Sequence, residues 1–237
     1  MPNRPESAPD KGPTEWGEGT HGVGPWALEH PDLPIPDPAE DLRYDRELLA
    51  GGDRRNVVDR YRYWTLAAIN ADLDARRAQR REARPIDGAV RELHIAIENF
   101  ENDANIGTVV RTANAFLAET VHIVGRRRWN RRGAMVTDRY QHIVHHDTVA
   151  DLMEWCRHRD LPVVAIDNVP GSVPLETAHL PSRCLLLFGQ EGPGVTEAAQ
   201  HAAVMTCSIA QFGSTRSINV GVAAGIAMHT WIRQWEG

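Results

Sequence analysis

The chain has 237 residues with 26 Lys and Arg against 32 Asp and Glu, a formal net charge of −6. This length is enough for one sizeable hydrophobic core. No apolar run reaches the roughly 18 residues of a membrane span, and the N-terminus has no signal-peptide core, which argues against a membrane or secreted protein. The three cysteines form no C-x-x-C pair, so we expect a reducing, cytosolic environment without disulfides or a zinc framework.

The N-terminal part differs in composition from the rest. Residues 1–50 hold 9 of the 15 prolines and carry 4 basic and 11 acidic side chains, about −7, which leaves about +1 elsewhere. We therefore expect residues 1–41 to be a disordered acidic tail. Residues 17–22 match G-x-G-x-x-G, but no strand precedes them and no helix follows, so a dinucleotide site is not predicted. Trp16 and Trp26 are unusual in a solvated tail, and the sequence leaves open whether they dock.

Residues 42–88 are predicted to be a helical extension. Val57, Tyr61, Trp64 and Ala68 recur at helical spacing, which predicts a helix over residues 53–84. Its end is basic, and two interpretations fit equally well: a face that contacts phosphates, or a solvated helix terminus whose cations suit the helix dipole. The arginines concerned are Arg76, Arg77, Arg80, Arg81 and Arg84.

Residues 89–237 alternate strands and helices, which predicts an α/β domain with a mainly parallel sheet and helices on both faces. The predicted strands are residues 93–97, 120–124, 142–145, 162–166, 184–188 and 204–210, and the predicted helices are 106–117, 149–159 and 218–235.

Two of these strands lead into loops that suit a ligand. The loop at 189–194 has three glycines and one proline, which let the backbone approach a ligand, and it carries one carboxylate, Glu191. The loop at 211–216 leads to Ser217, the predicted N-cap of a last helix rich in small residues. Together these loops predict a ligand site at the carboxyl ends of the strands.

A polar segment follows the first strand. Asn105 is predicted to be a helix N-cap, and Arg111 lies less than two turns further on. Taken alone, this pair is explained by a cap and a surface cation. No P-loop and no G-x-S-x-G motif occurs, which lowers the expectation of a nucleoside triphosphatase or an α/β-hydrolase.

A second arginine cluster surrounds Trp129 just after a strand. Cations neutralise phosphates and an exposed aromatic ring can stack on an unpaired base, so we favour nucleic-acid binding over a solvated loop. The cluster is Arg126, Arg127, Arg128, Arg131 and Arg132. His142, His145 and His146 lack a further ligand cluster at suitable spacing, so no metal is predicted.

Three segments in order resemble the motifs of the SPOUT superfamily, in its SpoU branch of RNA 2′-O-ribose methyltransferases: residues 105–111, 188–194 and 217–220. The likeness covers about residues 90–235. The third motif departs slightly, because the chain has Ile209-Ala210-Gln211 where the family often has Ile-Pro-Met, and Ile218 where it often has Leu.

The resemblance implies a C-terminal trefoil knot in a domain at 89–237, S-adenosylmethionine as cofactor, a homodimer, and methyl transfer to a ribose of tRNA or rRNA. It implies cofactor contacts by Leu187, Phe188, Gly189, Gly194, Ile209, Gln211, Ile218 and Asn219. It assigns catalysis to Arg111, which Glu191 would hold, while Asn105, Ser217 and Asn219 would fix the site. Arginine is too basic to be neutral at pH 7, so we prefer an orienting role to that of a base. A non-catalytic RNA-binding knot protein and methyl transfer to a base are the alternatives.

Overall fold

The computed structural model describes residues 22–83, 88–98, 102–125, 128–134, 137–190, 192–215 and 217–236. The chain divides into two compact units, one ending at Asp72 and one beginning at Leu73. Helix α3, Leu66–Glu82, runs from one unit into the other. The helices among the described residues are all too short or too polar to cross a lipid bilayer.

Residues 22–41 of the first unit have a defined structure, so the prediction of a disordered tail is wrong for them, and residues 1–21, with Trp16, lie outside the described part. Two short helices, α1 (Trp26–Glu29) and α2 (Arg46–Gly51), belong to this unit. The Trp26 ring packs edge-on against Tyr63 and Tyr44, and its Nε1 donates to the Pro34 carbonyl at 3.1 Å. The segment is ordered because aromatic contacts offset its polar composition.

The predicted helix over 53–84 is shorter in the structure, since α3 begins only at Leu66. Before it, Tyr63 has a positive φ of 62°, which no α-helix tolerates. Its amide donates to the buried carboxylate of Asp53 at 3.0 Å, and Thr65 Oγ1 accepts from the Ala68 amide at 3.1 Å. The apolar residues at 57–68 therefore do not belong to one helix. Most of them lie in a turn around Asp53, and the last lies in α3.

The second unit is built on a seven-stranded sheet in which the paired strands are all parallel, with the order β3-β2-β1-β6-β4-β7-β5. Six strands are predicted from the sequence; β5 is not, because two exposed residues carry no apolar pattern. The strands are β1 Glu92–Glu98, β2 Thr120–Val124, β3 Ile143–His146, β4 Val163–Ile166, β5 Val173–Pro174, β6 Arg183–Phe188 and β7 Met205–Ser208. This architecture confirms the predicted α/β class with a parallel sheet, while the trefoil knot stays a prediction.

Helices cover both faces of this sheet, as predicted. On one face, α4 (Asp103–Ala115) and α7 (Val220–Trp235) pack on a core that includes Ile95 and Phe188. On the other, α5 (Val149–Arg157) and α6 (Glu197–Ala202) pack on a core that includes Leu185. The alternation of side chains along each strand supplies the two cores. Helix α6 is not predicted from the sequence.

Both helices of the first face begin at a different residue from the one predicted. The N-cap of α4 is Asn102, whose side chain accepts from the Ala104 amide at 3.0 Å, and not Asn105, which lies in the first turn. The N-cap of α7 is Asn219, not Ser217. Asparagine is as good a cap as serine, and in both places it binds the free amides of the first turn.

Three buried histidines form a row across neighbouring strands, under α5. His122 Nδ1 lies 2.9 Å from His146 Nε2, and His122 Nε2 lies 3.4 Å from His94 Nδ1. Trp155 packs against His122 and His94. Burial lowers the pKa of His122 to about 2 and lowers the pKa of His146 as well. His122 is therefore uncharged at pH 7, so His146 has a neutral partner within the sheet.

Candidate active site

A cavity of about 370 Å³ lies where β4, β6 and β7 end. Because the three strands are parallel, their carboxyl ends and the start of α7 meet at one edge of the sheet. Its walls are Ile166, Asp167 and Asn168 after β4; Phe188, Gly189, Gln190, Gly192 and Gly194 after β6; Ile209 and Gln211 after β7; and Ser217, Ile218, Asn219, Val220 and Ala223 around the start of α7. The two predicted loops thus meet at one concave site.

Two glycines of the loop after β6 are required by its geometry, Gly189 because of a close contact within the loop and Gly194 because of its positive φ. A Cβ atom at Gly189 would lie 2.0 Å from the Val195 amide nitrogen, closer than any real contact. Gln190 and Gly194 exchange two backbone hydrogen bonds of 2.9 and 3.0 Å, and Gly194 has a φ of +81°. The loop therefore folds back tightly on itself, which leaves the cavity open beside it.

Asp167 fixes this loop from the neighbouring strand end, a role that the sequence analysis missed. Its Oδ2 accepts from the Val195 amide at 2.8 Å and its Oδ1 from the Asn168 amide at 2.7 Å. The available signal was an Asp-Asn pair directly after a predicted buried strand, a place where polar side chains reach a ligand site.

Asn219 joins the two helices that carry the first and third motifs. Its Oδ1 accepts from the Gly221 and Val222 amides at 2.9 and 3.2 Å. Its Nδ2 donates to Oδ1 of the buried Asn105 at 3.0 Å. Two asparagines 114 positions apart are therefore held together beside the cavity.

Of the eight residues expected to contact a cofactor, seven line the cavity: Phe188, Gly189, Gly194, Ile209, Gln211, Ile218 and Asn219. Leu187 does not line it, because its side chain is buried in the core of the opposite face. Two of the three residues that depart from the family pattern, Gln211 and Ile218, lie on the cavity wall, while Ala210 is not among the lining residues.

The predicted catalytic residues are placed as follows. Ser217 and Asn219 line the cavity, and Asn105 is bound to Asn219. Arg111 lies on α4 with an exposed side chain and is not among the lining residues. Glu191 lies outside the described residues, so the expected pair between Glu191 and Arg111 stays a prediction.

The arginine cluster around Trp129 is described only in part, since Arg126, Arg127 and the side chain of Arg132 lie outside the described residues. Arg128 and Arg131 are exposed, and Arg131 lies 3.4 Å from Asp138. Trp129 is partly buried and packs against the main core, so the prediction of an exposed tryptophan is wrong, while stacking of its ring on a base stays a prediction. An indole ring has a large apolar surface, and burying this surface favours packing against the core over full exposure.

The arginines at the end of α3 bind protein groups. Arg77, 2% exposed, donates to the Ala118 carbonyl at 3.0 Å, Arg80 donates to the Leu117 carbonyl at 2.9 Å, and Arg81 pairs with Glu119. For Arg77 and Arg80 both predicted roles are wrong, because their side chains are largely buried against carbonyls that follow α4. The Arg81 side chain is 39% exposed beside Glu119, so a contact of Arg81 with phosphates stays a prediction. Arg76 is exposed, and Arg84 lies outside the described part.

The parallel sheet with a glycine-walled cavity at its carboxyl edge defines an α/β protein with a ligand site. The model of the SpoU rRNA Methylase family matches residues 92–229, more than half of the chain, and the chain belongs to this family. The resemblance seen in the three sequence motifs is thereby confirmed.

Named relatives and solved structures are each similar to about 60% of the chain. The tRNA (guanosine(18)-2′-O)-methyltransferase of Escherichia coli K12 is 24% identical over 146 residues, 60% of this chain and 64% of that protein. The AdoMet-bound rRNA methyltransferase from Sinorhizobium meliloti is 28% identical with a TM-score of 0.56, over 60% of this chain and 56% of that one. In both, the match spans less than two thirds of the relative.

A third solved structure is matched over nearly its whole chain. A structure described as "Structural insights into the 2-OH methylation of C/U34 on tRNA" is 28% identical with a TM-score of 0.56, over 62% of this chain and 98% of that one. The shared region therefore corresponds to an almost complete chain in that structure.

Proposed function

We propose that the chain is an S-adenosylmethionine-dependent RNA methyltransferase that acts on a ribose 2′-hydroxyl of tRNA or rRNA. The observation that carries this proposal is the cavity at the ends of β4, β6 and β7, walled by the second and third motifs of the family to which the chain belongs. The relatives named for 2′-O-methylation and for bound AdoMet support it.

The cavity suits S-adenosylmethionine in size and lining. Its volume of about 370 Å³ lies within the range of small-molecule sites, roughly 300–1,000 Å³. Ile166, Phe188, Ile209 and Ile218 provide apolar walls for a purine ring, and polar groups such as Asp167 lie among them. When bound, the cofactor supplies a methyl group on a sulfonium.

The chain's own residues would align the reacting groups. Alignment of oxygen, methyl and sulfur is the main source of rate enhancement for such a transfer. Asn219, bonded to Asn105, holds the start of α7 against α4, the helix that carries Arg111. We propose that Arg111 orients the ribose and its phosphate, and that Glu191 holds Arg111. In such a transfer the bond from the ribose oxygen to the methyl carbon would form as the sulfur–methyl bond breaks, the thioether S-adenosylhomocysteine would leave, and the hydroxyl proton would pass to solvent.

We further propose that RNA is bound by Arg128 and Arg131, both exposed, together with Arg126, Arg127 and Arg132. The domain at 89–237 would carry a trefoil knot, which the insertion of β6 between β1 and β4 supports. It would act as a homodimer in the cytosol. The three cysteines are free and buried, in keeping with a reducing compartment.

The test is to measure S-adenosylhomocysteine binding by calorimetry in excess chelator and then methyl transfer to total tRNA and rRNA. Labelled RNA is digested to nucleosides, and we expect the label in 2′-O-methyl nucleosides. Label in base-methylated nucleosides would favour the base alternative. Absence of cofactor binding in a protein that binds RNA would favour the non-catalytic alternative.

A further inference from the structure

The cavity has a charged residue in its wall. Of the described residues that line it, Asp167 alone has an ionisable side chain, and the others are apolar residues, glycines or neutral polar residues. A carboxylate is negatively charged at neutral pH. The described wall therefore places one negative charge beside a cavity that is otherwise neutral.

The Asp167 carboxylate is fixed next to another residue of the wall. A Cβ atom added at Gly194, which lines the cavity, would lie 2.5 Å from Asp167 Oδ2. The Val195 amide donates to Oδ2 at 2.8 Å and the Asn168 amide to Oδ1 at 2.7 Å. Both donors are neutral, and among the described residues no arginine, lysine or histidine forms an ion pair with Asp167. The carboxylate is thus held beside the cavity by groups that do not neutralise its charge.

We propose that the charge of Asp167 makes the cavity selective for a cationic ligand, and so for S-adenosylmethionine over S-adenosylhomocysteine, an inference that rests on the proposed function. The two molecules differ by the methyl group and by the positive charge on sulfur. A carboxylate attracts that charge through space and needs no hydrogen bond to the ligand. The charge on sulfur is lost when the methyl group leaves, so the same residue favours release of the product and binding of a new cofactor.

The experiment measures by calorimetry, without RNA, the dissociation constants of S-adenosylmethionine and S-adenosylhomocysteine for the wild-type chain and three variants. Asp167→Asn removes the charge at nearly constant shape, and the loop keeps a second anchor, the bond from the Thr196 amide to Glu98 Oε2 at 3.1 Å. Asn168→Asp adds a charge at the next wall residue, which is exposed. The matched control is Glu154→Gln, which removes an exposed carboxylate of α5 that does not line the cavity.

The deciding quantity is the ratio of the affinity for S-adenosylmethionine to the affinity for S-adenosylhomocysteine on each protein. We expect this ratio to fall by about tenfold in Asp167→Asn, to rise in Asn168→Asp and to stay at the wild-type value in Glu154→Gln. Tenfold is the order of magnitude for two unit charges about 10 Å apart at an effective dielectric constant of about 20. A fraction of misfolded chains cancels in the ratio, and opposite changes in the two wall variants distinguish charge from a change of shape.

If Asp167→Asn keeps the wild-type ratio, the proposed role of the Asp167 charge is wrong while the proposed function stands. If Asp167→Asn binds neither ligand, Asn168→Asp decides, and an unchanged ratio in that variant overturns the proposal. If the wild-type chain binds neither ligand, the proposed function fails and this inference fails with it.

Discussion

Asn219 uses the two ends of its amide for different partners, so its structural and functional roles can be separated. Asn219→Ala removes the N-cap of α7 and the bond to Asn105, and we expect it to lower the free energy of unfolding by about 1 kcal/mol. Asn219→Asp keeps an oxygen for the helix amides, and its charge suits a helix N-terminus, but it loses the donor to Asn105. We expect near wild-type stability in urea with a reduced rate of methyl transfer. Equal activity of Asn219→Asp and wild type would show that the bond to Asn105 is not needed.

Arg111 lies outside the cavity wall, so its loss should separate methyl transfer from cofactor binding. We expect Arg111→Ala to abolish transfer in single-turnover assays and to change the affinity for S-adenosylhomocysteine by less than about twofold, because the cavity residues lie on other segments. Arg111→Lys is the sharper comparison, since lysine keeps the charge but loses the planar fork. Near-full activity of Arg111→Lys would replace the orienting role by a simple requirement for charge.

At the scale of helices and strands, the elements that were predicted correctly are those that a pattern of apolar residues specifies. The runs at 93–97, 120–124 and 184–188 became buried strands because a parallel sheet covered on both faces requires continuous apolar residues. The N-caps were missed by a few residues because both motifs offer several capping residues in a row, and only the fold selects Asn102 and Asn219.

The parts of the candidate site that depend on backbone geometry were predictable from the sequence. The glycines of 189–194 indicated a tight loop, and Gly189 indeed leaves no room for a side chain. The direction of long side chains was not predictable, because Arg77 and Arg80 bind carbonyls that lie about 40 positions away in the sequence. Likewise, no sequence pattern shows that one end of the Gln211 side chain is buried and unpaired.

The histidine row makes the stability of the sheet depend on pH. The pKa of His122 is lowered to about 2, far below its ordinary value near 6.5, and that of His146 is also lowered. Since the unfolded chain binds the protons of His122 and His146 more tightly, the stability from their neutral forms is fully present above pH 6.5 and is lost as the pH falls. The free energy of unfolding should drop by up to about 1.4 kcal/mol per pH unit for each histidine below pH 6.5.

Urea unfolding between pH 7 and pH 5 measures this slope above the range in which most carboxylates become protonated. Because burial raises the pKa of Glu119, the contribution of the histidines is taken as the difference in slope between wild type and variant. We expect His122→Gln to give a shallower slope than wild type, while His158→Gln, which replaces an exposed histidine at the end of α5, gives the wild-type slope. If His122→Gln followed the same slope as wild type, the histidine row would not be the cause of the pH dependence.

At the scale of the molecule, α7 packs on the core with its inner side, borders the cavity with its first turn and exposes apolar side chains on its outer side. Its inner side, with Ala224, Met228 and Trp231, is fully buried. Its first turn borders the cavity. Its outer side exposes Val222 and Ile226, one helical turn apart and 55% and 38% exposed. An apolar row beside a ligand site is a surface that a second copy of the chain would cover.

We therefore expect a homodimer that Val222→Glu disrupts. A charge buried without a partner costs several kcal/mol, so the variant should sediment as a monomer at micromolar concentration. It should also lose methyl transfer, because the same helix borders the cavity and we expect the second copy to cover its outer side. The matched control is Val204→Glu, because Val204 is a comparably exposed valine, 63%, in the loop before β7. This control should remain dimeric and active, and circular dichroism should show both variants folded. A wild-type chain that sediments as a monomer, or a Val222→Glu variant that stays dimeric, would show that the outer side of α7 is not the interface.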